Sequence, residues 1–120
     1  MKTSKKEEEN QYKDIEKAVE SGDNKAKTKL AWYKLSGCGG CEIDVDGALA
    51  LLIERVKDKD SDAMWMLGLC HEFGMGCEQD IGEAQRLYEQ CKDCGSVIGE
   101  FFVKYGILER GTGKMTTESL

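Results

Sequence analysis

The chain repeats itself, and that repeat constrains the fold before any single residue is weighed for chemistry. Aligning residues 63–76 with residues 26–39 pairs Ala63 with Ala26, Leu67 with Leu30, and Gly68 with the similarly small Ala31. Gly74 and Gly76 fall on Gly37 and Gly39, so every pair is 37 residues apart. Near Gly40 the phase moves by one residue. Asp80, Ala84 and Tyr88 then follow Asp44, Ala48 and Leu52 at a spacing of 36. Half-units flank the two full ones. Ile15, Ala18 and Gly22 share the phase of Tyr88, Cys91 and Gly95, and Glu109-Arg110-Gly111-Thr112-Gly113 echoes the Gly-x-Gly turn. The order is B, A-B, A-B, A, where segment A ends at Gly-x-Gly and segment B follows it.

Both segment types read as helices. In 80–93, Ile81, Ala84, Leu87, Tyr88 and Cys91 recur at steps of three and four, which places them on one helical face. Val45, Ala48, Leu49, Leu52, Ile53 and Val56 do the same in 45–58. Asp44 and Asp80 stand where a side chain accepts from the orphan N–H groups of a helix start. Gly22 and Gly95 stand where a left-handed C-cap belongs. The chain has no proline, which favours helices joined by glycine turns. The expected fold is all-α: an α-solenoid of antiparallel helix pairs, about six helices in two full repeats plus flanking half-repeats. The expected boundaries are a charged flexible segment at 1–10, the repeat domain at 11–113 and a flexible tail at 114–120.

The run Ala63-x3-Leu67-Gly68-x2-His71-x2-Gly74-x-Gly76-x3-Asp80-x3-Ala84-x3-Tyr88-x6-Gly95 resembles the Sel-one-like repeat, a relative of the tetratricopeptide repeat. The likeness extends over roughly residues 11–113 and is sharpest at 63–95. The sequence departs from the family pattern at several places. His71 and Lys34 hold the usual tyrosine position, Cys77 and Cys41 the valine position, and Glu83 the lysine position. With the final glycines aligned, Lys104 and Tyr105 take the Leu-Gly position of the third A helix. The resemblance implies an adaptor or scaffold that binds a protein or peptide partner. Two complete modules are fewer than the roughly three such arrays want, so a partner or self-association would add stability.

In tetratricopeptide-type arrays the A helices line the binding face. Carried over position by position, that face holds Thr28, Trp32 and Leu35 from the first A helix, with Lys25 beside them. Trp65, Leu69 and Glu72 come from the second, with Asp62 beside them. Trp65 and Leu69 are one helical turn apart and share a stripe. Aromatic side chains in such a groove anchor partners well, although either tryptophan would equally serve to fill the core. Lys25, Lys27, Lys29 and Lys34 form a basic run, read either as a solvated face or as a site for an acidic peptide.

The remaining signals are set against this binding role. A net charge of −6 argues against nucleic acid, whose phosphates want a basic footprint, and against anionic membrane. No stretch nears the ~20 apolar residues of a membrane span. Met1 to Asn10 has no apolar run after its lysines, so the expected compartment is the cytoplasm, with thiols mostly reduced. Cys38-Gly39-Gly40-Cys41 and Cys91-Lys92-Asp93-Cys94 are each C-x2-C, which offers an alternative role in zinc binding or thiol redox chemistry. In the repeat phase the two pairs fall at different kinds of turn, one A-to-B and one B-to-A. The leading reading is therefore structural thiols with no cofactor. His71 is the only histidine and lacks an H-E-x-x-H context. Gly111-Thr112-Gly113-Lys114 lacks the full phosphate-loop pattern. No catalytic site is expected.

Overall fold

The computed structural model describes residues 5–106, with side chains described for 11–105. Its elements are α1 (Lys5–Glu20), α2 (Asn24–Ser36), α3 (Val45–Lys57), α4 (Ser61–Phe73), α5 (Ile81–Asp93) and α6 (Val97–Phe101). A short glycine turn, Cys38–Gly40, lies between α2 and α3, and α6 runs into a π-helical turn, Phe102–Gly106. Among the described residues there is no strand, and no helix is long and apolar enough to cross a membrane. α1 begins at Lys5, so residues 5–10 of the charged leading segment are part of this helix. The glycine echo at 109–113 and the segment 114–120 lie outside the described residues. The chain divides into two compact units, Met1–Arg55 and Val56–Leu120.

A side chain starts each helix from α2 onward. Asp23 accepts from the N–H groups of Lys25 and Ala26 at 3.0 and 3.2 Å. Asp44 accepts from Gly47 N–H at 3.0 Å, Asp60 from Asp62 at 3.0 Å, Asp80 from Glu83 at 3.0 Å and Ser96 from Gly99 at 3.2 Å. Each bond satisfies a donor that the helix itself leaves open. The two caps expected from sequence, Asp44 and Asp80, are in place. Gly22 and Gly95 have the positive φ of left-handed caps, 97° and 86°.

In the first unit, α2 buries Ala26, Leu30 and Ala31, while α3 buries Ala48, Leu49 and Leu52. Lys27 Nζ on α2 donates to Glu54 Oε1 on α3 at 2.7 Å. Ile53 departs from the sequence reading. It belongs to the expected apolar face but is half exposed, while Arg55 is buried. The buried arc of α3 is thus narrower than the apolar residues alone suggest. α1 packs on α2 and on the glycine turn.

In the second unit, α4 and α5 pack together around Gly68 and Tyr88. A Cβ placed on Gly68 would lie 2.5 Å from Tyr88 Cε1, so the ring rests directly on the backbone of α4. The ring is fully buried, and its hydroxyl donates to Glu72 Oε1 at 2.7 Å. At the equivalent positions the first unit has Ala31 and Leu52, both fully buried. A methyl group on α2 accompanies a leucine, whereas the flat ring on α5 requires glycine.

The N-caps correct the register of the last A helix. Asp23, Asp60 and Ser96 align, so Ala26, Ala63 and Gly99 are equivalent and all three are buried. At Gly99 any side chain would run into the α5 backbone at Cys91 and Lys92. Counting from that cap, Val103 takes the position of Leu67, and Lys104 that of Gly68. The final-glycine alignment had placed Lys104 and Tyr105 there. Val103 indeed packs against the Ala84 and Tyr88 cluster, and Lys104 is exposed. The physical reason is length. The stretch 96–111 is one residue longer than 23–37 and 60–74. A π turn is how a helix absorbs a single extra residue.

Gly68→Ala is therefore expected to cost about 1–3 kcal/mol in urea unfolding, the range for overpacking a filled core. In the Tyr88→Leu background, which copies the pairing of the first unit, the same change should cost much less. A double-mutant cycle showing additive losses would mean that the ring does not set the glycine requirement.

Candidate functional site

α4 is apolar over most of its circumference. Ala63, Met64, Met66, Leu67, Gly68 and Cys70 are all buried, because α5 covers one side and α6 reaches another. Trp65 and Leu69 form a half-buried stripe between these residues, and Asp62 and Phe73 at the two ends of the helix are exposed. Trp65 stacks on Phe102 with ring centroids 5.8 Å apart and an angle of 16°, and its Nε1 donates to Asp62 Oδ1 at 3.1 Å. Phe102 in turn stacks on Tyr88 at 4.8 Å. The tryptophan is thus one end of a three-ring stack whose other end is the core tyrosine.

α6 and its π turn extend this aromatic surface. Phe101 meets Phe102 edge-on at 5.8 Å and Tyr105 at 5.2 Å, and Lys104 Nζ lies 5.2 Å from the Tyr105 ring centroid. Phe101 and Tyr105 remain exposed, at 53% and 41%. By the N-cap register they occupy the same two repeat positions as Trp65 and Leu69, and as Thr28 and Trp32 in the first unit. Neither Phe101, Phe102 nor Tyr105 belongs to the binding face inferred from sequence. The run Phe101-Phe102-x2-Tyr105 carries the signal, but aligning on the final glycines hid its phase.

The six residues placed on that face divide in the structure. In the first unit Trp32 is exposed at 38% and Leu35 is half-buried, whereas Thr28 is buried in the core of α2. In the second unit Trp65 and Leu69 reach the surface. Glu72 does not: only 2% of it is exposed, its carboxylate accepts from Tyr88, and its carbonyl accepts from Gln79 Nε2 at 2.8 Å. Thr28 and Glu72 therefore lie inside their units and not on the outward face where the sequence reading put them. The basic run is partly neutralised within its own unit. Lys27 pairs with Glu54, and Lys34 lies 3.5 Å from Asp44. Lys25 and Lys29 are exposed.

The cysteines are all free thiols, divided between the two units. Cys70 and Cys91 are fully buried. Burial, followed by the nearby Cys77, pushes the Cys70 thiol up to about 11. The Cys91 thiol donates to the Ser61 carbonyl at 3.1 Å and is also held above its ordinary value by burial. Cys77 Sγ lies 3.6 Å from His71 Nδ1. Burial raises the Cys77 thiol, so the pair is a protonated thiol beside an imidazole, the opposite of an activated thiolate. Among the described residues no group of three or more His, Cys, Asp or Glu side chains is arranged to hold a metal ion. The zinc alternative therefore has no site behind it there.

No family model matches the chain. Among solved structures, a Sel1 repeat protein from Oxalobacter formigenes superposes with a TM-score of 0.71 and 26% sequence identity, over 86% of this chain. The chain spans 42% of the length of that protein. Cap positions, glycine turns and this superposition agree: the chain has the Sel1-like repeat fold, an all-α helical repeat.

Proposed function

We propose that the chain is a protein-interaction module that takes up protein or peptide segments on the outward faces of its A helices. The observation that carries this reading is the aromatic surface of the second unit. Four aromatic rings, Trp65, Phe101, Phe102 and Tyr105, are contiguous on α4, α6 and the π turn, with Phe101 and Tyr105 left exposed at 53% and 41%. Rigid aromatic side chains supported from below lose little conformational freedom on binding and supply large contact area. Trp32 and Leu35 form a second, smaller patch on the first unit. The repeat fold supports the same class of role, because A-helix faces present equivalent positions in series. The fitting partner is a segment with apolar side chains, since the patch is built from aromatic rings.

A displayed library of random peptides tests this directly. Selected peptides are expected to be rich in apolar side chains. Phe101→Ser with Tyr105→Ser should weaken their binding by about ten-fold or more, the usual loss on removing a hot-spot pair, with the far-ultraviolet circular dichroism unchanged. Undiminished binding to the double variant would place the site elsewhere.

A further inference from the structure

The glycine turn of the first unit differs from its counterpart in the second. After α4 the chain reads Gly74-Met75-Gly76-Cys77; after α2 it reads Gly37-Cys38-Gly39-Gly40-Cys41. One glycine has been added, and a cysteine stands where the other turn has Met75. Cys41 and Cys77 are the equivalent inward thiols, so Cys38 is the additional one. Gly39 and Gly40 both have positive φ, 65° and 80°, and the Cys41 N–H donates to the Cys38 carbonyl at 3.1 Å. This is a two-residue mirror-image turn, which left-handed residues such as glycine permit. Such a turn brings its first and fourth Cα atoms within about 7 Å. A disulfide spans Cα separations of about 4.4–6.8 Å.

The two thiols have unequal surroundings. Cys38 is exposed, whereas Cys41 is buried with its Sγ donating to the Glu42 carbonyl at 3.2 Å. The Tyr12 hydroxyl of α1 borders Cys41. An accessible thiol and a sheltered one, joined by a flexible pair of glycines, are the parts of an attacking and a resolving cysteine. Cys94 is exposed as well, so the second C-x2-C also joins an accessible thiol to a sheltered one, but its sheltered thiol has no exposure at all. Cys91 is fully buried under α6 and bound to Ser61, and Cys70 is fully buried with its acidity suppressed.

We propose that Cys38 and Cys41 form a reversible disulfide by exchange with a low-molecular-weight disulfide, and that oxidation loosens the hold of the turn on α1. The Cys38 thiolate attacks one sulfur of the small disulfide, breaking its S–S bond and releasing one thiolate. Cys41 then gives up its proton and attacks Cys38 Sγ, displacing the second thiolate. The protein pair loses two electrons, and the small disulfide gains them. The two protons released by the cysteines end on the two small thiols. Bridging draws Cys41 Sγ away from the neighbouring Glu42 carbonyl and from Tyr12 on α1.

The test uses the full chain, equilibrated without air in mixtures of reduced and oxidised glutathione, acid-quenched, alkylated and peptide-mapped. The expected first product lacks two hydrogens and two alkylation sites, both at Cys38 and Cys41, and exceeds any other bridge by about ten-fold or more. Reduction with dithiothreitol should reverse it. Cys38→Met, which copies the turn after α4, should abolish it with the fold intact. Backbone hydrogen exchange in α1 should speed up in the oxidised chain and stay unchanged in oxidant-treated Cys38→Met. A glutathione adduct that stays on Cys38 without closing, or a first bridge between other cysteines, would overturn the pairing. A Cys38–Cys41 bridge that leaves α1 exchange unaltered would overturn its link to α1.

Discussion

The seating of the Tyr88 ring on Gly68 organises the second unit. A side chain of any size at position 68 would occupy the space of the ring. With glycine there, the ring comes close against the backbone of α4, and its hydroxyl reaches one turn further along to Glu72. The ring also stacks on Phe102, which stacks on Trp65 in turn. One close approach therefore sets the spacing of two helices, disposes of a buried carboxylate and supports the aromatic surface. The first unit reaches an equivalent fill with Ala31 and Leu52, a different partition of similar volume. Filled interiors tolerate such volume-conserving exchanges far better than added bulk.

Much of the fold was legible in the sequence because it rests on signals one residue wide. Asp44 and Asp80 cap helices, Gly22 and Gly95 end them, and Ala84, Leu87, Tyr88 and Cys91 form the buried face of α5 as its periodicity indicates. α5 is covered on one side, so its pattern is strong. The last A helix was misread by one residue. Its capping side chain is a serine instead of an aspartate, and its extra residue is absorbed by a π turn, which leaves no mark in hydrophobic periodicity.

The candidate site was less legible for a related reason. α4 is apolar nearly all round, so no period separates a groove face from a core face, and Glu72 followed the groove by position alone. Its burial depends on Tyr88, sixteen residues away, which a helical repeat cannot reveal. Thr28 was misplaced in the same way, being small enough to enter the core of α2. Trp65 and Leu69 do reach the surface, although Trp65 owes its place to Phe102, a residue that the final-glycine alignment put out of phase. The C-x2-C motifs looked alike in sequence. Each pairs an exposed thiol with a buried one, and structure separates them by backbone: one spans a glycine turn, and the other closes the end of α5.

The seating of Tyr88 on Gly68 is open to one direct measurement. In the nuclear magnetic resonance spectrum of the folded chain, the Gly68 α-protons should be shifted upfield by the ring current. They should also show Overhauser contacts to the Tyr88 ring protons. Random-coil shifts for Gly68, with no contact to Tyr88, would contradict the account.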